Sequence, residues 1–247
     1  MFHFLLLAFI AEVIGTIGGF GSSVFFVPLA NFYLDYHSVL GITALFHLSS
    51  NLSKILLFRE GLDKKLLINI GVPSVIFVII GGFLSKGLPS SILEFCLGFF
   101  LIALSIYFLI KTNAKINTGK TQSIIGGSIS GFAAGLLGTG GAVRGITMSA
   151  FNLEKNVYIA TSAAIDMGVD FSRSIVYILN GYIDNQNIVF VPFLLIIGFV
   201  GTYIGKKILD YIPQDRFKKI SLALILIIGL ISVARAIFLI ESAYRLD

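Results

Sequence analysis

Apolar residues along this chain come in runs of about 20, set apart by short stretches where charged and turn-forming residues gather. A run of that length is what a helix needs to cross the hydrocarbon core of a bilayer. About eight segments are predicted in this way: Phe2 to Leu34, Ser38 to Phe58, Leu66 to Ser85, Pro89 to Ile110, Ser123 to Phe151, Asn156 to Leu179, Asn187 to Gly205 and Phe217 to Ile240. Two of them do not suit a plain span. The first is too long and is interrupted by Gly15, Gly18, Gly19 and Gly21; the fifth is interrupted by Gly138, Gly140, Gly141 and Gly145. Glycine weakens a helix and lets backbone or a ligand approach closely. Broken backbone at membrane depth is tolerated only where protein or a cavity satisfies it. Each of these segments is therefore expected to form two half-helices.

The two glycine clusters are offset by 120 residues, and other landmarks follow at nearly the same shift. Pro73 corresponds to Pro192, Gly82 to Gly201 and Gly61 to Gly181, with Pro89 and Pro213 matching after a short insertion. An ordered series of this kind is the mark of an internal duplication. The predicted organisation is an N-terminal membrane repeat over 1–110, a polar linker over 111–122 and a C-terminal membrane repeat over 123–247.

Composition agrees with an all-α integral membrane protein, since 56% of the 247 residues are hydrophobic and only 13% are charged. The net charge of +5 comes from loop lysines and arginines, which in such a protein report orientation and not a nucleic-acid partner. A lone cysteine, Cys96, excludes an internal disulfide framework, and no zinc or thiol-redox motif is present. The opening MFHFLLLAFIAEVIG lacks a basic start and a cleavage signal, and is read as structure.

Basic residues place the linker with Lys111, Lys115 and Lys120, the turn from Arg59 to Lys65 and the run from Lys206 to Lys219 in the cytoplasm. The loops around Asp35 and Asp184 read as external. A four-plus-four count of spans contradicts this assignment. The contradiction disappears if each glycine-broken segment enters the membrane and returns, leaving three crossings per half and one half inverted against the other.

Candidate chemistry lies on the segment after each glycine cluster. His47, Asn51 and Lys54 stand at i, i+4 and i+7, and Asp166, Asp170 and Arg173 repeat that spacing, so each trio shares a helical face. Ionisable residues within a span mark a substrate or ion path by default. Arg144, beside the second cluster, offers a planar fork of donors suited to an oxyanion, with Lys54 and Arg173 as further cations. Thr43, Thr161 and Ser162 lie one turn earlier and bring hydroxyls. Half-helix N-termini at Gly18, Gly19, Gly21, Gly138, Gly140 and Gly141 would add backbone N–H donors. Asn51 completes the binding candidates, and His47, Asp166 and Asp170 are the candidates for proton coupling. A plainer reading stands beside this one: Asp170 and Arg173 neutralise each other, Arg144 caps freed carbonyls or pairs with an aspartate, and His47 is a hydrogen-bonded packing residue.

Taken together, GTIGGFGSSVFFVPL from Gly15, GLLGTGGAVRG from Gly135, the basic turn FREGLDKK and the prolines Pro73 and Pro192 resemble the sulfite exporter TauE/SafE family of membrane transporters. The resemblance runs from Phe9 to about Ser232. It implies a duplicated helical transporter of the cytoplasmic membrane that moves sulfur-containing anions such as sulfite, sulfoacetate or thiosulfate, coupled to an ion gradient. It carries binding roles to Gly18, Gly19, Gly21, Gly138, Gly140 and Gly141. Two positions depart from the family pattern: Met148 stands where the first copy has Pro28, and Arg144 stands where a small or apolar residue is common. The partners expected are a small inorganic or organosulfur anion, membrane lipid and a coupling proton, with no cofactor, metal or nucleic acid. The rival readings are a passive anion channel and an intramembrane metalloenzyme, the latter disfavoured because no HExxH motif is present and no nucleophile is paired with a base.

Overall fold

The computed structural model describes residues 2–18, 21–58, 61–110, 118–209, 211 and 214–244, and these are helical with short connections. Ten helices carry the description: α1 (Phe2–Gly18), α2 (Ser23–Ala30), α3 (Tyr36–Leu57), α4 (Lys64–Ser85), α5 (Ser90–Ile110), α6 (Lys120–Leu137), α7 (Gly141–Ser149), α8 (Lys155–Leu179), α9 (Ile188–Leu209) and α10 (Gln214–Tyr244). The order from α1 to α5, a long helix, a short one and three long ones, recurs from α6 to α10. Within α6, the first helical residue is Lys120, inside the stretch predicted as linker, and α10 runs beyond the predicted end at Ile240. Linker residues 111–117 lie outside the described residues.

Local chemistry fixes several of these boundaries. Asp35 and Asp63 cap α3 and α4, their carboxylates accepting from the backbone N–H of Ser38 at 3.1 Å and of Leu66 at 2.9 Å. Within α4, the turn Leu67–Gly71 widens to a π-helix directly ahead of Pro73. A proline has no N–H to give and crowds the carbonyl four residues back, and the wider turn absorbs both.

At each glycine cluster the chain turns back on itself. Gly15 packs against the backbone of Ser22, and the Phe4 ring meets both Phe26 and Tyr33 at 5.8 Å, so α2 runs back alongside α1. In the same way, Gly126 packs against Thr147 and Gly140 against the Ser130 carbonyl, so α7 returns alongside α6. The segments predicted as broken helices are broken, at residues 21–22 and 138–140.

Contacts along the remaining helices give their relative directions. His47 faces Arg173, Asn51 faces Asp170 and the Asp63 N–H donates to Thr161, so α3 and α8 are antiparallel. Glu94 pairs with Arg235 and Gly98 lies against Gly229 and Val233, which makes α5 and α10 antiparallel as well. By contrast α1 runs parallel to α9, with Phe4 beside Phe190 and Glu12 beside Gly201. Helices α6 and α4 are likewise parallel, with Gly127, Gly131 and Gly135 against Ile70, Ser74 and Val78.

Among the described residues, five helical stretches are long and apolar enough to cross a membrane: Tyr36–Leu57, Lys64–Ser85, Ser90–Tyr107, Ile188–Leu209 and Leu222–Glu241. Helix α8 has 25 residues but carries Asp166, Asp170 and Arg173. Its apolar positions Phe171, Ile175 and Ile178 are exposed, while Asp170 and Arg173 turn inward. That is the arrangement expected of a polar helix face placed toward a bundle interior.

Candidate functional site

The broken end of α6 creates the first structural demand. The last carbonyls of a helix have no partner within it, and in lipid each unsatisfied group is costly. Gly138 takes a left-handed conformation, with φ of 76°, and its N–H returns to the Ala134 carbonyl. The Tyr36 hydroxyl donates to Leu137 O at 2.9 Å, and the Tyr177 hydroxyl donates to Gly135 O at 2.7 Å. Arg173 donates through Nη1 to Gly138 O at 2.8 Å. Side chains from α3 and α8 thus finish a helix that ends inside the protein, and a cation sits at the negative end of its dipole.

Beside this helix end lies a narrow cavity of about 30 Å³, room for about two waters. Both glycine clusters reach it: Gly21 and Ser22 from the α1–α2 turn, and Gly138, Gly140 and Gly141 from the α6–α7 turn. Neither α2 nor α7 has a side-chain cap on its first N–H groups. Both sequence trios also line it, His47, Asn51 and Lys54 from α3 and Asp166, Asp170 and Arg173 from α8, joined by Arg144 from α7. Gly18 closes α1, and Gly19 lies outside the described residues.

Each cation of the cavity is already paired. Arg173 Nε donates to Asp170 Oδ1 at 2.7 Å, and the other oxygen of Asp170 accepts from Asn51 Nδ2 at 2.6 Å. Arg144 pairs with Asp166 through Nη2 and donates from Nε to the Ser162 hydroxyl at 3.1 Å. Lys54 pairs with Glu12 at 3.2 Å and donates to the Ser50 hydroxyl at 2.7 Å. His47 bridges the two trios, its Nδ1 3.3 Å from Arg173 and its Nε2 3.1 Å from the Ser22 hydroxyl. The pairings anticipated in the plainer reading of the sequence are present, and they are part of the cavity wall.

Glu12 was missed in the sequence. Its carboxylate is fully buried and accepts from Ser22, Ser50, Thr16 and Thr202 in addition to Lys54. A single acid inside the apolar run FLLLAFIAEVIG was the available signal, because ionisable residues are rare in membrane segments unless they have a task.

Exposure rises toward one end of the cavity. Asp170 and Arg173 side chains are 4% and 2% exposed, whereas Lys54 reaches 13% and Asp166 22%. The more open end is where α3 finishes and α8 begins, beside the basic turn that follows α3. Among the described residues, no group of three or more His, Cys, Asp or Glu is placed to hold a metal ion.

A multi-pass helical bundle in which two broken helices and a ring of buried charges converge on one small cavity is the architecture of a membrane transporter. The chain matches the family described as Sulfite exporter TauE/SafE over residues 4–231 and belongs to it. It is also 31% identical over 234 residues to a probable membrane transporter protein of Methanocaldococcus jannaschii, a match spanning 83% of this chain and 86% of that one. No solved structure matches the chain.

Proposed function

We propose that this chain is a secondary transporter of small sulfur-containing oxyanions such as sulfite, thiosulfate or sulfoacetate across the cytoplasmic membrane, coupled to an ion gradient. The observation that carries the reading is the single cavity on which both glycine turns and both polar trios converge. Arg144 is the principal cation for the anion because its carboxylate partner, Asp166, is the more exposed of the pair and can yield it. Lys54 supports it from α3. Arg173 contributes positive potential, but its donors are committed to Asp170 and the end of α6. The uncapped N–H groups at Gly141 and beyond supply backbone donors on the same side as Arg144.

Transport by alternating access requires this cavity to open to one side of the membrane and then to the other. Antiparallel pairing of α3 with α8 and of α5 with α10 supports two inverted halves related by an axis in the membrane plane, the plan used for alternating access. If both glycine hairpins return to the face they entered, three crossings per half keep the end of α3, the start of α6 and the end of α9 on one face. By the distribution of positive charge that face is cytoplasmic, and the more exposed end of the cavity opens toward it.

Sulfite and thiosulfate flux in proteoliposomes, with and without an imposed pH gradient, tests this. Wild type is expected to accumulate one of these anions against its gradient, and Arg144→Ala to abolish accumulation while eluting as a folded species. Strictly downhill flux would make the protein a channel, and no flux of either anion in wild type would reject the sulfur-anion assignment.

A further inference from the structure

Among the described residues, the cations Lys54, Arg144 and Arg173 and their partners Glu12, Asp166 and Asp170 balance, so an anion entering the site leaves these groups with an uncompensated negative charge. A proton taken up by one carboxylate restores the balance, and the surroundings differ in which one can hold it. Both oxygens of Asp170 face groups that only donate, the Arg173 guanidinium and the Asn51 amide nitrogen. A protonated Asp170 would find an acceptor there only by turning the Asn51 amide over to present its oxygen. Glu12 is surrounded mainly by hydroxyls, which donate to a carboxylate and accept from a carboxylic acid equally well. From α1 it meets Thr16, from the α1–α2 turn Ser22, from α3 Ser50 and Lys54, and from α9 Thr202; Lys54 is the charged group in direct contact.

We propose that Glu12, reached from the cavity through His47 and Ser22, is the seat of the coupling proton, and that its protonation frees Lys54 to bind the transported anion. The proposal rests on the transporter reading above. Because Arg173 can only donate, Nδ1 of His47 accepts from it, and a neutral His47 therefore carries its proton on Nε2 and gives it to Ser22 Oγ. Ser22 in turn donates to Glu12 Oε2 at 2.6 Å. This wire conducts only when Arg173 releases Nδ1. A proton from hydronium then enters at Nδ1, leaving a water, the Nε2 proton passes to Ser22 Oγ, and the Ser22 hydroxyl proton passes to Glu12 Oε2. His47 ends neutral with its proton on Nδ1, Ser22 is unchanged and Glu12 is neutral. Lys54 has then lost its counter-charge and turns to the cavity it already lines. Since Arg173 also holds the end of α6, proton entry by this route goes with movement of that helix end.

Two measurements decide this. In purified protein, infrared difference spectra between acidic and neutral buffer are expected to show a carboxylic-acid carbonyl band that Glu12→Gln removes. Absence of any band lost in that variant overturns the proposal, whether or not an anion has been found to move. In proteoliposomes, Glu12→Gln is expected to exchange labelled for unlabelled thiosulfate or sulfite but to lose accumulation driven by a pH gradient. Ser22→Ala, which keeps the Lys54 pair and cuts the wire, is expected to slow that accumulation. Wild-type gradient response in both variants overturns the proposal and leaves the transporter reading intact, whereas no flux in wild type rejects that reading and leaves the infrared result to decide the role of Glu12.

Discussion

Arg144 and Arg173 are both buried arginines paired with aspartates, yet their surroundings differ. Arg173 joins Asp170, Gly138 and His47, and is 2% exposed. Removing it strands a buried carboxylate and the carbonyls at the end of α6, a loss of about 3–5 kcal/mol. Arg173→Met is therefore expected to lower the thermal midpoint in detergent sharply, and Arg173→Met with Asp170→Asn to recover part of the loss, because the pair then disappears together. Arg144→Met leaves behind an Asp166 that solvent reaches, and its cost is expected to be roughly half as large or less. Equal losses in the two single variants would remove the distinction between a structural cation and a substrate cation. The trios were legible in the sequence because ionisable residues at helical spacing inside apolar runs are conspicuous. Glu12 was not, since the residue 120 positions on is Phe132 and a search guided by duplication passes over it. Partnership across 42 residues, as between Glu12 and Lys54, is set by packing and has no signature in either local stretch.

At the scale of elements, the contact of α4 with α6 is the tightest kind two helices can make. A Cβ added at Gly131 would lie 2.1 Å from the Ser74 carbonyl oxygen, and one at Gly135 would lie 2.1 Å from that of Val78. Small residues at such a crossing let backbones touch, and packing of that kind holds helices together where lipid removes the hydrophobic incentive. Gly131→Val must therefore push the helices apart and is expected to abolish the folded peak in size-exclusion chromatography. Ile129→Val, two positions away on an exposed face, is expected to leave that peak unchanged. If both variants run alike, the close contact does not hold the bundle. The long spans and the glycine breaks were visible in the sequence as apolar runs and their interruptions. Two features were not: the π-turn ahead of Pro73, which answers to crowding in three dimensions, and the early start of α6 at Lys120, where polar residues already belong to the helix.

For the whole molecule, the loop that follows α3 and the loop that follows α8 are the discriminating pair. In a parallel arrangement of two equivalent halves these loops share a face of the membrane; in an inverted one they lie on opposite faces. Antiparallel contacts between α3 and α8 favour the second, since a helix and its counterpart can run in opposite senses only if the axis relating them lies across the helices and not along them. Loop charge points the same way, with Lys64 and Lys65 after α3 and Asp184 without a lysine or arginine after α8. The glycine hairpins reconcile these facts, because a segment that returns to its own face changes the count of crossings without changing the count of helices. In a Cys96→Ser background, a membrane-impermeant maleimide is expected to label Tyr33→Cys and Gln186→Cys in intact cells, and to reach Lys65→Cys and Lys120→Cys only after lysis. Labelling of Lys65→Cys and Gln186→Cys from the same side would overturn the inversion, and with it the exchange of roles between halves on which alternating access at this cavity depends.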